Sequence, residues 1–222
     1  VWALAVIVFA LPSYLVRFKI GFVPMTLLEA MILVAFVVWL IKVIRTKQKV
    51  NFSKFKWLVI AWLIVSGIAV LVSPNKIAAL GIWKAYFIEP VLFFLVFINV
   101  IKSKEDLEAV FLGLSFGALI ISLIAIYQKF TGWLVPFDYW FRGEGPRVTS
   151  IFEYPNALGL YLGPIVGLFI TKILWAERFL SRKTFFYVLV TVAAVLAIIF
   201  AHSEGALVGI ILGFLVFGWE KG

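Results

Sequence analysis

Residues 109–128 read AVFLGLSFGALIISLIAIYQ, twenty residues without a single charge. A hydrocarbon core about 30 Å thick takes roughly 20 mostly apolar residues as a helix. This stretch therefore has the length and composition of a transmembrane span, and the rest of the chain is of the same kind. Of 222 residues, 64% are hydrophobic and 14% charged, and the mean hydropathy is +1.13. A soluble domain has roughly 45–50% apolar and about 25% charged residues. No soluble core of this length buries so much apolar surface. That excludes a cytosolic globular enzyme, a secreted disulfide scaffold and a disordered segment. Cys is absent, so there is no disulfide, thiolate metal site or Cys nucleophile.

Working outward, apolar runs recur at 1–16, 20–41 (interrupted by Glu29), 57–75, 85–101 (with Glu89 near its start), 109–128, 155–171, 185–201 and 205–219. Barrel-type alternation is missing, so the expected class is all-α: a polytopic transmembrane helical bundle of about eight spans. These form a single transmembrane domain over 1–222. The chain starts at Val1 and stops just after a hydrophobic run, which reads as a fragment of a longer protein. The opening run lacks a basic n-region and a small-residue cleavage site, which argues against a signal peptide.

Cationic residues set the expected orientation. Lys42, Arg45, Lys47, Lys49, Lys54, Lys56, Lys102, Lys104, Lys172, Arg178, Arg182, Lys183 and Lys221 fall in one set of loops, and Arg17, Lys19, Lys76, Lys84, Lys129, Arg142 and Arg147 in the other. Thirteen against seven places the first set, and both ends of the chain, in the cytoplasm. The net charge of +9 is then a positive-inside signal with membrane lipids as partners, not a nucleic-acid footprint. Gly159, Gly163 and Gly167, like Gly205, Gly209 and Gly213, recur every fourth residue, a spacing that lets helix backbones approach in lipid. Pro164 interrupts the hydrogen bonding of the sixth span.

The polar inventory is small: one His, two Asp and nine Glu. HExxH, GxGxxG, GxxxxGK[ST] and DxD are all missing, so neither a metal nor another cofactor is expected. Glu29 and Glu89 lie in or near spans, where a carboxylate needs a partner or a wet cavity. Lys84 is a local partner for Glu89, Glu29 has none nearby, and Asn99 reads as an interhelical hydrogen-bonding residue. Two stretches stand out. The segment 129–154 mixes Trp133, Tyr139, Trp140 and Phe141 with Asp138, Arg142, Glu144, Arg147 and Glu153, and leads into RVTSIFEYPNALGLYLGP at 147–164. The second is the turn His202-Ser203-Glu204-Gly205-Ala206 between the last two runs, for which a plain polar turn is an equal alternative.

RVTSIFEYPNALGLYL resembles the signature of the O-antigen ligase and polymerase family, an Arg a few residues before Ser-x-Phe-x-x-Pro-Asn. AHSEGALVGIILGFLV resembles that family's helix end Ser-Arg-Gly-Ala, with Glu204 standing where the family commonly has Arg. The resemblance implies a GT-C-like membrane transferase of inverting, metal-independent type. Its donor is an undecaprenyl-diphosphate-linked glycan outside the cytoplasmic membrane, and its acceptor is lipid A-core, another glycan repeat or a protein. It assigns Arg147, with Arg142 and Asn156, to the donor diphosphate, since guanidinium suits a diphosphate. A carboxylate beside a diphosphate is repulsive, so Glu204 either points elsewhere or the donor contact differs. His202 either stands in for the missing Arg or, with Glu204, serves as a base for the acceptor hydroxyl. The family's large extracytoplasmic catalytic loop and the spans after it are expected beyond Gly222. A transporter or flippase is the rival reading, because Glu29 and Glu89 also suit a substrate path. Transport gathers polar groups at mid-membrane and transfer gathers them at the outer interface, where the richer cluster falls.

Overall fold

In the computed structural model, residues 1–21, 23–142, 145–176 and 181–219 are described. Of the described residues, 76% are helix and 4% strand. Its helices are α1 (Trp2–Phe9), α2 (Leu27–Thr46), α3 (Lys56–Val72), α4 (Lys76–Trp83), α5 (Glu89–Val100), α6 (Lys104–Thr131), α7 (Asp138–Phe141), α8 (Pro155–Leu174), α9 (Arg182–Phe200) and α10 (Glu204–Trp219). A π-helical turn, Lys84–Ile88, joins α4 to α5, so that Lys76–Val100 runs as one helix. Among the described residues, five helices are long and apolar enough to cross a membrane: α2, Lys76–Val100, α6, α8 and α9. Among the shorter apolar helices are α3 and α10.

Local chemistry explains where the expected spans were misplaced. Of the run 1–16, only Trp2–Phe9 is α-helix, and a 3₁₀ segment, Leu11–Leu15, follows it. Pro12 has no N–H to give Val8 and cannot continue the helix. The run 20–41 loses its start to a short antiparallel ribbon, β1 (Arg17–Ile20) with β2 (Val23–Thr26), within a structure otherwise all-α as expected. Gly21 turns that ribbon at φ +61°, a backbone state glycine adopts freely. Helix α2 then starts at a capping box: Glu29 N donates to Thr26 Oγ1 (3.2 Å) and Thr26 N to Glu29 Oε2 (2.9 Å). Helix α3 stops at Val72 because Ser73 precedes a proline and is extended. Ser103 and Asp106 cap α6 reciprocally, Asp106 N to Ser103 Oγ and Ser103 N to Asp106 Oδ2.

The chain forms two compact units, Val1–Gly113 and Leu114–Gly222, divided within α6. In the first, α2 packs along α5, and α1 meets α6 where Gly113 faces the Ala5 carbonyl. Asn99 bonds a loop instead of another helix: its amide receives Asn51 N–H (2.8 Å) and donates to Asn51 O (2.9 Å). In the second unit α8 packs on α9 and α10. Leu158, Leu162, Val166 and Phe169 of α8 are fully buried, as are Val190, Ala197 and Ile198 of α9. Their three- and four-residue spacing makes one helix face the core. Opposite faces carry exposed Leu160, Leu168, Val192 and Ile199, an apolar outside that suits lipid as the solvent.

Candidate functional site

The end of α9 organises the second unit. Its chain leaves through a Schellman motif: His202 N donates to Ile199 O (2.9 Å) and Ser203 N to Ile198 O (3.3 Å). The left-handed position that this motif requires is His202, at φ +50°. Three further carbonyls point out of the helix end, and the strap before α8 satisfies all of them. Val148 N donates to Phe200 O (3.2 Å). Arg147 Nε donates to Ala201 O (2.9 Å) and its Nη2 to His202 O (3.2 Å). A guanidinium at the negative end of a helix is favourable for its charge as well as its hydrogen bonds.

Arg147 is held from other sides too. Its Nη2 also donates to Asn156 Oδ1 (3.0 Å), and its guanidinium carbon lies 5.4 Å from the Trp140 ring centre. The strap around it is fixed by Gln128 of α6, which is fully buried. Gln128 Oε1 accepts from Thr149 N (3.0 Å) and Ser150 N (2.7 Å), and Nε2 donates to Ser150 O (2.8 Å) and Leu134 O (3.0 Å). Ser150, at φ +55°, donates its hydroxyl to Ile121 O (2.7 Å). Lys129 Nζ reaches Pro146 O (3.1 Å). Nothing in the run 109–128 marked Gln128 for this task, and Trp140 was visible only as one aromatic among several.

The other expected site residues separate. Asn156 is brought to Arg147, and the His202 backbone with it. The His202 ring stands beside the Gly145 backbone, where a Cβ would lie 3.9 Å from its Cε1. Glu204 is exposed in the first turn of α10. Arg142 pairs instead with Asp138 across one turn of α7 at 2.6 Å, both side chains open to solvent.

Beside this cluster a groove of about 920 Å³ runs between α8 and α10. Asn156, Ser203 and Gly205 stand at its Arg147 end, and Gly163, Gly167, Gly209 and Gly213 line its length. The expectation of close packing holds only at one end. A Cβ on Gly159 would collide with the Ser203 side chain, and one on Gly163 would lie 3.7 Å from Ala206 Cβ. Gly167, Gly205, Gly209 and Gly213 face open space. Helix α8 starts with Pro155, its N-cap Tyr154 supplies no side-chain acceptor, and its Ala157 N–H is taken by Tyr154 O (3.1 Å). Helix α10 begins at the same end of the groove. The positive ends of two helices, with Arg147 bonded to Asn156 beside them, favour an anion at its mouth, and the exposed Glu204 carboxylate in the first turn of α10 opposes one. Among the described residues, no three His, Cys, Asp or Glu side chains gather as a metal site. In comparisons with known proteins, no family model, curated protein or solved structure matches the chain.

Proposed function

We propose that the chain is the membrane portion of a glycosyltransferase of the O-antigen ligase and polymerase kind, moving a glycan from undecaprenyl diphosphate to a lipid, glycan or protein acceptor. The observation that carries this reading is the groove mouth. Arg147, the start of α8 and the start of α10 converge where an apolar, glycine-lined channel opens. A lipid diphosphate has the matching shape, an anionic head with a long hydrocarbon tail. Arg147 spends Nε and Nη2 on protein acceptors, so its role toward a diphosphate is a fixed Nη1 edge and a positive charge, not a bidentate fork. His202 and Glu204 flank the mouth from the α9–α10 turn and are assigned to the acceptor side.

Helix α1, eight residues long, is too short to cross a core about 30 Å thick. The membrane frame of this reading is therefore the other seven apolar helices, GT-C-like in arrangement, with the mouth on the extracytoplasmic face. The excess of Lys and Arg in the opposite loops supports that orientation. Transport keeps one specific observation in its favour, the ionisable cluster of Glu29, Lys84 and Glu89 within the spans of the first unit.

Binding of undecaprenyl diphosphate to the full-length protein in detergent, compared with undecaprenol, tests the proposal. Gly209→Leu is the decisive variant, because a side chain there enters the groove without meeting a neighbouring atom within 4 Å at its Cβ. Its expected effect is at least about a tenfold loss of affinity, the equivalent of 1.4 kcal/mol. Equal binding of the diphosphate and the alcohol by the wild-type protein, or full binding by Gly209→Leu, would sink the reading. Arg147→Ala is expected to abolish glycan transfer, and unchanged transfer removes Arg147 from the donor site.

A further inference from the structure

Lys84 opens the π turn in the first unit, and two carboxylates compete for it. Its Nζ lies 3.0 Å from Glu29 Oε2 and donates as well to Pro24 O (3.0 Å). Glu89, at the other end of the turn, places Oε1 3.9 Å from the same Nζ, beyond hydrogen-bond range. That oxygen is buried without any hydrogen-bond partner, in a residue only 3% exposed. Glu29 is engaged a second time, since its Oε2 also accepts Thr26 N–H.

The turn itself fixes this register. In an α-helix, residues five apart lie on different faces, but a π turn closes through an i to i+5 bond, here from Glu89 N to Lys84 O. Pro90, next in the chain, has no N–H for Tyr86 O and disfavours a regular α ladder at this point. The carboxylate is therefore brought under the ammonium by the backbone, yet stops short of it. The charges acting on Glu89 are those of Glu29 and Lys84. Neighbouring polar contacts are neutral: Trp83 Nε1 donates to Ser66 Oγ (2.9 Å) in the same region.

The charge count is two carboxylates to one ammonium. A buried anion without a hydrogen-bond donor is costly unless it is neutralised, and within a membrane span the cost is higher still. We propose that Glu29, Lys84 and Glu89 form a binding site for one exchangeable proton, seated at Glu89 Oε1. The occupant completes the charge balance of the cluster and supplies the positive partner that Lys84 does not provide. The site is independent of the groove in the second unit and holds whichever reaction that groove serves.

Infrared difference spectra of the full-length protein in lipid nanodiscs test it, with buffer exchanged from alkaline to neutral pH. The proton gives a carboxylic-acid C=O band that grows as pH falls. The band is expected to vanish in Glu89→Gln and to persist in Glu105→Gln, whose carboxylate is exposed at the start of α6. Lys84→Met removes the cation of the cluster, so its band is expected at more alkaline pH than in wild type, which keeps the test open if Glu89→Gln fails to fold. Spectra of wild type and Glu89→Gln that match overturn the proposal, and so does a Lys84→Met band that appears over the wild-type pH range.

Discussion

The end of α9 and the π turn at Lys84–Ile88 are both places where the apolar chain must accommodate charge, and they do so in opposite ways. At α9 the cation is answered by backbone. Arg147 meets two helix-end carbonyls and one amide oxygen, all neutral dipoles fixed by the fold. At the π turn, charge is answered by charge, two carboxylates on one ammonium. A dipole cage holds its ion in one geometry, and here it leaves only the Nη1 edge of Arg147 open. An ion cluster of unequal count leaves a remainder, and a remainder is what a second ligand can answer.

That contrast is broken most sharply at Lys84. Replacing it by methionine keeps the length of the side chain and leaves two carboxylates without their counter-ion. Removing one partner of a buried ion pair costs roughly 3–5 kcal/mol; Lys84 is one-third exposed, so the lower figure, about 3 kcal/mol, is expected in detergent-unfolding titrations. The double variant Lys84→Met with Glu89→Gln should recover part of that loss. If the single variant unfolds like wild type, the cluster is solvated and the contrast with α9 disappears.

Gln128→Leu probes the dipole side. It strips the acceptor from Thr149 N and Ser150 N and leaves both buried. Each orphaned buried group costs about 1–3 kcal/mol, partly offset by relaxation of the strap, so a net loss of about 2.5 kcal/mol is expected. Because the protein has no cysteine, a single Cys at Ile151 reports the strap directly. Maleimide labelling there should speed up in Gln128→Leu and stay at the wild-type rate in Lys84→Met.

The two halves of the glycine seam carry the comparison to helix packing. Gly159→Ala drives a methyl group into Ser203, and overpacking of that kind costs about 2 kcal/mol. Gly209→Ala meets open space and replaces a poor helix former, so it should stabilise by about 0.5 kcal/mol. Equal effects in unfolding titrations would mean that the seam is closed along its whole length and no groove exists.

How much of this was legible in the sequence differs between the two regions. Hydrophobic run length located the long helices, because the bilayer-type requirement acts on composition alone. Their starts were missed where prolines and caps decide. Pro12 and Pro24 break the first two runs, and Thr26-Leu27-Leu28-Glu29 is a readable capping box that turns a puzzling carboxylate into an N-terminal residue. Spacing suggested Lys84 as the partner of Glu89, but the two stop at 3.9 Å, and Lys84 bonds Glu29 across 55 residues, which no local pattern encodes. The strap failed for the same reason. Gln128 finds its partners 21 and 22 residues away, and Arg147 finds its own 54 and 55 away. The motif at 147–156 could be recognised, but its cap on α9 needed the fold.

His202 sharpens the comparison with the smallest effect. It occupies the left-handed position of the Schellman motif, where glycine is the usual residue. An L side chain held there costs roughly 1–2 kcal/mol, and His202 makes no hydrogen bond through its ring among the described residues. His202→Gly is therefore expected to stabilise the protein by about 1 kcal/mol in unfolding titrations. Transfer activity then separates the two accounts of this turn. If the imidazole serves the acceptor, glycan transfer by the full-length variant falls while its stability rises, which marks a strained residue kept for chemistry. If transfer is unchanged, the turn is only the exit of α9, and the acceptor side of the site must be sought away from His202.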